Sequence, residues 1–363
     1  MRLGAEAPRV SVLMPVFNGA RFLRPALESV LAQSYRSFEL IAVDDGSTDD
    51  TPAILAAVTD SRVHVLRNDV NSGLVASLNR GLAAATGELI ARQDADDLAH
   101  PERFAQQVQF LDAHSDVAVV GTWYRKIDEA DNELGTREPP GEHLPLRWAL
   151  LFVCPFLHGS VMFRRREVME QVGMYDATAL HAEDYDLWSR AALRFRVANI
   201  AEYLESYRVL RDSITAVHGA QPPAARRVRA ANVAAIATES DDRFTEAELD
   251  DVGELALGDW RRVSSGRLAA AFEHARRLLD LLCRAEQERG MPTAEFHAET
   301  LAALRRRLVG SMSLLDDAQF ARAMAALGPH HEFDWLSLFR ARSLRSAYGA
   351  LRRFAGERLP RVR

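Results

Sequence analysis

Cysteine, lysine and long apolar runs are all scarce in this 363-residue chain, and each scarcity closes off a class of protein. Two cysteines, Cys154 and Cys283, cannot build a disulfide framework, so a reducing cytoplasm is the expected setting. No apolar run is long enough to cross a bilayer, and the start Met1-Arg-Leu-Gly-Ala-Glu-Ala-Pro8 lacks the apolar centre of a signal peptide. A net charge of -6 argues against general nucleic-acid binding, and no zinc-finger, Walker or glycine-rich dinucleotide signature is present. Lys126 is the only lysine among 45 basic residues, and the sequence alone attaches no mechanism to that bias. With 48% hydrophobic and 26% charged residues the chain can bury a full core, and its length suggests about two domains.

What is present begins with alternation. Val10-Ser-Val-Leu-Met-Pro15-Val-Phe17-Asn18 and Phe38-Glu-Leu-Ile-Ala-Val-Asp44-Asp45-Gly46-Ser47 are nearly continuous apolar runs ending in polar turns, the pattern of parallel strands covered on both faces. Between them, Phe22, Leu23, Ala26, Leu27, Val30 and Leu31 recur at helical spacing, which makes a βαβ unit. Residues 62–67 read as a third strand, 73–85 as a helix and 88–93 as a fourth strand. The expected fold is therefore α/β, a mostly parallel, Rossmann-like sheet flanked by helices. In such sheets ligands bind beyond the carboxyl ends of the strands, so Asn18, Asp44, Asp45, Asn68, Asp94 and Asp96 should approach one crevice.

The run Gly87-Glu-Leu-Ile-Ala-Arg-Gln-Asp94-Ala-Asp96-Asp97 sets acidic residues at the end of a short apolar strand. Acidic oxygens delivered there suit a hard cation that also takes substrate phosphates. A lone Asp-x-Asp reads equally well as an Asx-rich turn ahead of the helix that starts near Pro101. The cluster 44–49 likewise makes a good turn and N-cap before Thr51-Pro52.

Taken in order, these segments resemble the family 2 glycosyltransferases, inverting nucleotide-sugar enzymes of the GT-A fold. The resemblance rests on Val10-Ser-Val-Leu-Met-Pro-Val-Phe-Asn-Gly19, Val43-Asp-Asp-Gly-Ser-Thr-Asp49, Asn71-Ser-Gly73-Leu and Asp94-Ala-Asp96-Asp97. It continues through His158-Gly-Ser-Val-Met-Phe-Arg164 and Ala182-Glu183-Asp184-Tyr-Asp-Leu-Trp188 to Tyr207-Arg208, and so covers about the first 210 residues.

The resemblance implies a metal-dependent inverting glycosyltransferase that moves a sugar from a nucleotide diphosphate, expected to be UDP, to a hydroxyl of a glycan or lipid-linked acceptor in cell-surface polysaccharide synthesis. It assigns Pro15, Phe17 and Asn18 to the nucleotide pocket and Asp45 to the base, with Asp44 beside it and Asn68 to Gly73 closing over ribose and diphosphate. Asp96 corresponds to the ligand of a divalent cation, Mn²⁺ or Mg²⁺, and Asp94 to a contact with sugar or metal-bound water, while Asp97 is expected to start the next helix. Asp184 becomes the general base, with Glu183 and His158 on the acceptor side. Without the upstream motifs, Glu183 and Asp184 would read as solvated capping residues of a helix's first turn. Trp148 and Trp188, at helical spacing, read as core. Relatives often carry a His two residues after the Arg of Tyr207-Arg208, and here that position is Leu210; Arg208 and Arg211 stand as diphosphate partners. Two other readings are a nucleotidyltransferase on a similar sheet and an inactive interaction scaffold. The first expects a glycine-rich loop after the first strand, where Pro15-Val-Phe-Asn-Gly19 has one glycine.

Beyond Pro222-Pro223 the periodicity becomes helical over 224–238, 245–257, 266–288, 293–310 and 316–327. This places a catalytic domain at 1–220 and a helical accessory region at 221–363, which offers a surface for homo-oligomer contact. From Trp335 to Arg363 a basic amphipathic segment fits either an anionic membrane surface or the bundle itself, so a peripheral position at the inner face of the membrane accompanies the cytoplasmic expectation. Acceptor choice is expected to depend on loops such as 125–144.

Overall fold

The computed structural model describes residues 7–210, 223–237, 243–257, 262–264 and 266–311, and the chain divides into two compact units at Arg229 and Ala230. The expected helix at 316–327 and the basic segment from Trp335 onward lie outside the described residues, as does Arg211.

The first unit is built on one sheet of nine strands. Strands β1 (Val10–Val16), β2 (Phe38–Asp44), β3 (Val63–Arg67) and β4 (Leu89–Arg92) pair in parallel in the order β3-β2-β1-β4. Their crossovers use helices α1 (Ala20–Leu31), α2 (Thr51–Ala56) and α3 (Leu74–Ala84). β1 and β2 are buried along their whole length, as their unbroken apolar runs require, whereas β3 is half exposed at the sheet's edge.

Alternation along β1 and β2 divides the core between the two faces. Leu13, Ile41 and Val43 pack with Val75, Leu78 and Leu82 of α3 and with Leu187 and Trp188 of α7 (Glu183–Ala192). Val12, Met14, Leu40 and Ala42 turn the other way, onto Leu23, Leu27 and Val30 of α1 and Phe104, Val108 and Leu111 of α4 (Arg103–Ala113). At about 1.5–3 kcal/mol for each fully buried large aliphatic side chain, truncating Leu27 or Leu78 would cost a sizeable share of net stability.

After β4 the sheet becomes mixed. β8 (Met162–Arg164) runs antiparallel to both β4 and β6 (Val117–Ile127), and β9 (Arg196–Arg208) runs parallel to β6. The short β5 (Leu98–Ala99) pairs antiparallel with β9, and β7 (Glu133–Arg137) forms an antiparallel pair with β6. The segment expected to be a loop at 125–144 is therefore the end of β6, all of β7 and the start of helix α5 (His143–Leu150). Its polar, charge-rich face hid the alternation that marks a strand. Asp97 does not start a helix: it is fully buried, and α4 begins six residues later. Helix α6 (Arg165–Gln171) follows β8, and helix α8 (Pro223–Ala234) starts in the first unit and crosses the boundary.

In the second unit, helices α9 (Glu246–Ala256), α10 (Leu268–Glu288) and α11 (Ala294–Ser311) pack on one another. Thr245 starts α9 with a reciprocal capping box: its hydroxyl accepts from the Glu248 N–H at 3.3 Å while its own N–H donates to the Glu248 carboxylate at 2.7 Å. α10 buries Phe272, Ala275, Leu278, Leu279 and Leu282 along a stripe of helical period.

Candidate active site

A cleft of about 1020 Å³ opens at the carboxyl ends of β1, β2 and β4, and every residue lining it belongs to the first unit. Pro15, Phe17, Asn18, Asp45, Gly73, Asp94, Asp96, His158, Glu183, Asp184 and Arg208 all line it. Two expected site residues, Asp44 and Asn68, are absent from that lining. Each supports it from behind. Asp44 is buried, accepts the Ser47 N–H at 2.9 Å and faces Arg67 at 3.5 Å, the turn-forming role that its position also allowed. Asn68 donates to Asp45 at 2.6 Å.

Asp45 is 3% exposed and organises the opposite loop. Its carboxylate accepts from the backbone N–H groups of Ser72 at 2.9 Å and Gly73 at 2.8 Å. Gly73 holds φ at 89°, a conformation that suits glycine and sets the N-terminus of α3. Asn18 adopts φ 48° and clamps the turn after β2, accepting the Thr48 N–H at 2.9 Å while its own N–H donates to Ser47 Oγ at 2.9 Å. A non-glycine residue held left-handed by two hydrogen bonds beside a cleft is the kind of local strain that binding sites retain. Phe17, next to it, is 47% exposed.

The acidic end of β4 is surrounded by cations. Arg92, 1% exposed, donates to Asp94 at 2.6 Å. Beneath it Arg103 and Glu205, both without exposed side-chain surface, pair at 2.6 Å, and Arg103 also donates to Gln93 at 2.7 Å. Asp97 accepts the Arg208 N–H at 2.7 Å, and burial together with the charges of Asp94, Asp96 and Glu205 pushes its pKa well above the usual carboxylate range. Arg208 is 2% exposed and its guanidinium is committed to the carbonyls of Asp96 and Asp128, both at 2.8 Å, and to Asp131 at 2.6 Å. Burial and the neighbouring Asp94 push Asp96 up to about 6.

Among the described residues no group of three or more His, Cys, Asp or Glu side chains is arranged to hold a metal alone. That donor set still fits Mg²⁺ or Mn²⁺, which keep several waters, take substrate phosphates and need only one or two protein carboxylates. Two carboxylates, Asp94 and Asp96, line the cleft, and Asp96 sits where its negative charge is poorly tolerated without a cation.

The facing wall comes from α7 and the segment before it. Asp184 lies in the first turn of α7 and accepts the Tyr185 N–H at 2.6 Å. Burial, followed by the charge of Glu183, raises its pKa to about 7. Glu183 is itself shifted upward by burial. The Cys154 thiol lies beside Asp184 and is pushed up by burial and by that charge, so it stays protonated. His158 Nε2 meets the Tyr175 hydroxyl at 2.9 Å, and burial and Arg92 hold the ring neutral. Gly159 leaves room for this junction, because a Cβ there would meet Asp94 Oδ2 at 2.7 Å.

Residues 11–173 match the profile of glycosyl transferase family 2. EpsE of Bacillus subtilis (strain 168), named as a glycosyltransferase, is 40% identical over 213 residues, which cover 57% of this chain and 75% of that protein. The chain belongs to glycosyl transferase family 2. An uncharacterized glycosyltransferase of Haemophilus influenzae is 28% identical over 239 residues, covering 63% of this chain and 74% of that one. The fold is that of S. aureus TarS 1–349, solved in complex with UDP-GlcNAc, with a TM-score of 0.54 at 17% identity over 90% of this chain and 94% of that one. The expected family, the GT-A architecture and glycosyltransferase activity therefore stand. Among the described residues no helix is long and apolar enough to cross a membrane.

Sequence reasoning passed over Arg92, Tyr124, Lys126 and Cys154, all of which line the cleft. Arg92 had a signal: an arginine inside the apolar strand Leu-Ile-Ala-Arg must be paired or functional. Cys154 had none, since its place beside Asp184 depends on a turn thirty residues upstream.

Proposed function

We propose that this family 2 enzyme transfers a sugar from a UDP-linked donor to a hydroxyl of a glycan or lipid-linked acceptor in cell-surface polysaccharide synthesis, with inversion at the anomeric carbon. One observation carries the reading: Asp45, Asp96 and Asp184, remote in sequence, line one cleft at the carboxyl edge of the sheet. Its size suits a nucleotide sugar, since ligand pockets run to about 1,000 Å³. TarS, with the same fold, binds UDP-GlcNAc, and EpsE supports a role in a transferase of this kind.

In this reading Phe17 supplies an apolar face to the base and Asp45 accepts its imide N–H, using oxygen lone pairs left beside those already taken by the 68–73 loop. Asn18 and Gly73 hold the backbone on either side of ribose and diphosphate. Asp96 holds a divalent cation, with Asp94 toward the sugar; when bound, that ion neutralises the charge that grows on the departing diphosphate. Arg208 acts by fixing Asp96 and the hairpin at 128–131, since its guanidinium is already engaged.

Asp184 takes the proton of the acceptor hydroxyl as its oxygen attacks the anomeric carbon opposite the leaving group. A pKa of about 7 suits a base at neutral pH: ionised often enough to act, and basic enough to hold the proton. Glu183 raises the basicity of Asp184, and neutral His158 orients an acceptor hydroxyl. Domain limits of 1–220 and 221–363 complete the reading, with the helical region as the oligomer or membrane-facing part.

The test is a panel of nucleotide sugars with Mn²⁺ or Mg²⁺, read by thermal shift and by slow donor hydrolysis. D184N should keep donor binding and lose transfer, and D96A should lose the metal's enhancement of donor binding. Normal turnover by D184N would remove the base assignment, and protection by no nucleotide sugar would remove the donor reading.

A further inference from the structure

The cleft holds a cation that the protein leaves without a counter-ion. Among the lining residues Arg92 is paired with Asp94, Arg208 with Asp131 and Arg21 with Glu129, while His158 is neutral and His181 and Arg229 have partners of their own. Lys126, the chain's single lysine, lines the same cleft from β6, and its side chain has no hydrogen bond or ion pair among the described residues.

Its cross-strand surroundings deepen the imbalance. Tyr124 pairs with Arg137 and Lys126 with Gly135, with the register shift only beyond Lys126, so Tyr124, Lys126 and Arg137 share one face and Arg137 is the diagonal neighbour of Lys126. Arg137 also has no ion pair among the described residues. Five carboxylates lie on this hairpin or just beyond it, and each is directed elsewhere. Glu129 pairs with Arg21, Asp131 with Arg208 and Glu133 with Arg125, while Asp128 accepts from Asn132 and Glu138 from the Tyr203 hydroxyl. Like charges on one sheet face repel, and burial together with Arg137 lowers the pKa of Lys126 accordingly. An anion placed between the two would relieve both costs. A lysine ammonium suits phosphate as a compact point charge, and the adjacent arginine adds a planar fork.

We propose that Lys126, on the β6 wall of the cleft, and Arg137, beside it on β7, form a phosphoryl-binding subsite, with Tyr124 and Tyr207 flanking it as an apolar shoulder. The two rings meet edge to face at 6.2 Å and both line the cleft. The oxyanion belongs either to the diphosphate of the donor or to a phosphate carried by the acceptor; this assignment rests on the glycosyltransferase reading above.

Calorimetry with inorganic pyrophosphate, UDP, uridine and decyl phosphate separates these sources. In wild type, pyrophosphate binds, and its affinity falls steeply with salt. K126M and R137Q should each weaken it several-fold and the double variant about tenfold or more, with K126R retaining most of it and uridine binding unchanged in all. Equal loss for UDP assigns the donor diphosphate, whereas loss for decyl phosphate with UDP intact assigns an acceptor phosphate. Both positions are partly exposed, so melting temperature should not move; should K126M unfold, R137Q carries the test. Unaltered pyrophosphate, UDP and decyl phosphate affinities in the double variant would overturn the subsite. Failure of wild type to bind UDP, with pyrophosphate binding still dependent on Lys126, would instead overturn the donor reading and leave the subsite standing.

Discussion

The raised pKa of Asp184 makes D184N a variant that should gain stability as it loses activity. A carboxyl whose pKa is higher in the folded than in the unfolded protein favours folding in its protonated form. Stability is therefore lost as pH climbs from the ordinary value of 3.8 to about 7, and the loss is complete above that. At about 1.4 kcal/mol per pH unit the interval of about three units sets an upper limit on the order of 4 kcal/mol. Solvent reaches part of this half-buried side chain, which reduces the expected cost to about 1–2 kcal/mol. Asparagine removes the charge, keeps the volume and retains an oxygen to accept the Tyr185 N–H that Asp184 accepts at 2.6 Å. Melting at pH 8 should therefore rise by about 2–8 °C, using about 2–4 °C per kcal/mol. The gain should be clearly smaller at pH 5 than at pH 8, and should vanish only below the ordinary value of 3.8, where the carboxyl is neutral in the folded and the unfolded protein alike. Scanning calorimetry of both proteins across pH 5–8, beside a transfer assay, measures the two effects together. A D184N protein that melts lower at pH 8, or whose advantage is the same at pH 5, would refute the electrostatic argument even if transfer were lost.

Activity should carry the same signature: kcat/KM should rise through a limb near pH 7 as Asp184 ionises, and E183Q, which removes the neighbouring negative charge, should move that limb down by about half to one pH unit. A limb that stays in place or moves upward would show that Glu183 does not set this basicity. G159A should weaken donor binding about tenfold in a titration while leaving the circular dichroism intact, because its new methyl would sit 2.7 Å from Asp94 Oδ2 and 3.2 Å from Asp97 Oδ2; wild-type affinity would mean that Asp94 has slack. R103M should lower stability to urea by about 3–5 kcal/mol, since it strands Glu205 in a site with no exposed side-chain surface. A loss below about 1 kcal/mol would indicate that Glu205 simply protonates and tolerates the change.

The parallel half of the sheet was legible because its signals are local. β1 and β2 are apolar along their whole length, and helical spacing between them admits one reading. The antiparallel half was not. β7 is exposed along nearly its whole length, and the outer part of β6 carries Tyr124, Arg125 and Lys126, so neither shows the period of a half-buried strand. Their pairing is fixed instead by β9, which joins β6 over ten registered positions some eighty residues later in the chain. The site divides in the same way. Asp45 and Asp96 follow strand ends, Asp184 lies in the first turn of α7, and motif order singled out all three, but the contacts around them are largely long-range. Asp97 looked like the residue that opens a helix because Asp commonly does. The competing demand was the Arg208 N–H, 111 residues away, which needs a buried acceptor at 2.7 Å.

That last contact explains why the acidic motif is longer than a metal site requires. Asp97 ties the motif to the end of β9, Arg208 returns the tie through the carbonyl of Asp96, and Arg103 braces the layer beneath through Glu205. Each tie draws a polar or charged group out of water, and Asp97, Arg103 and Arg208 are all buried. Such a lattice is stable only when complete, because any one missing partner leaves a buried charge or donor uncompensated. Its structural effect is to fix the backbone at Asp94 and Asp96 from below, so that the two half-buried carboxylates can face the cleft at a set spacing despite their mutual repulsion. In this respect the catalytic edge of the sheet is held by buried electrostatics rather than by apolar packing, and variants of Arg103 or Asp97 should move donor binding and stability together.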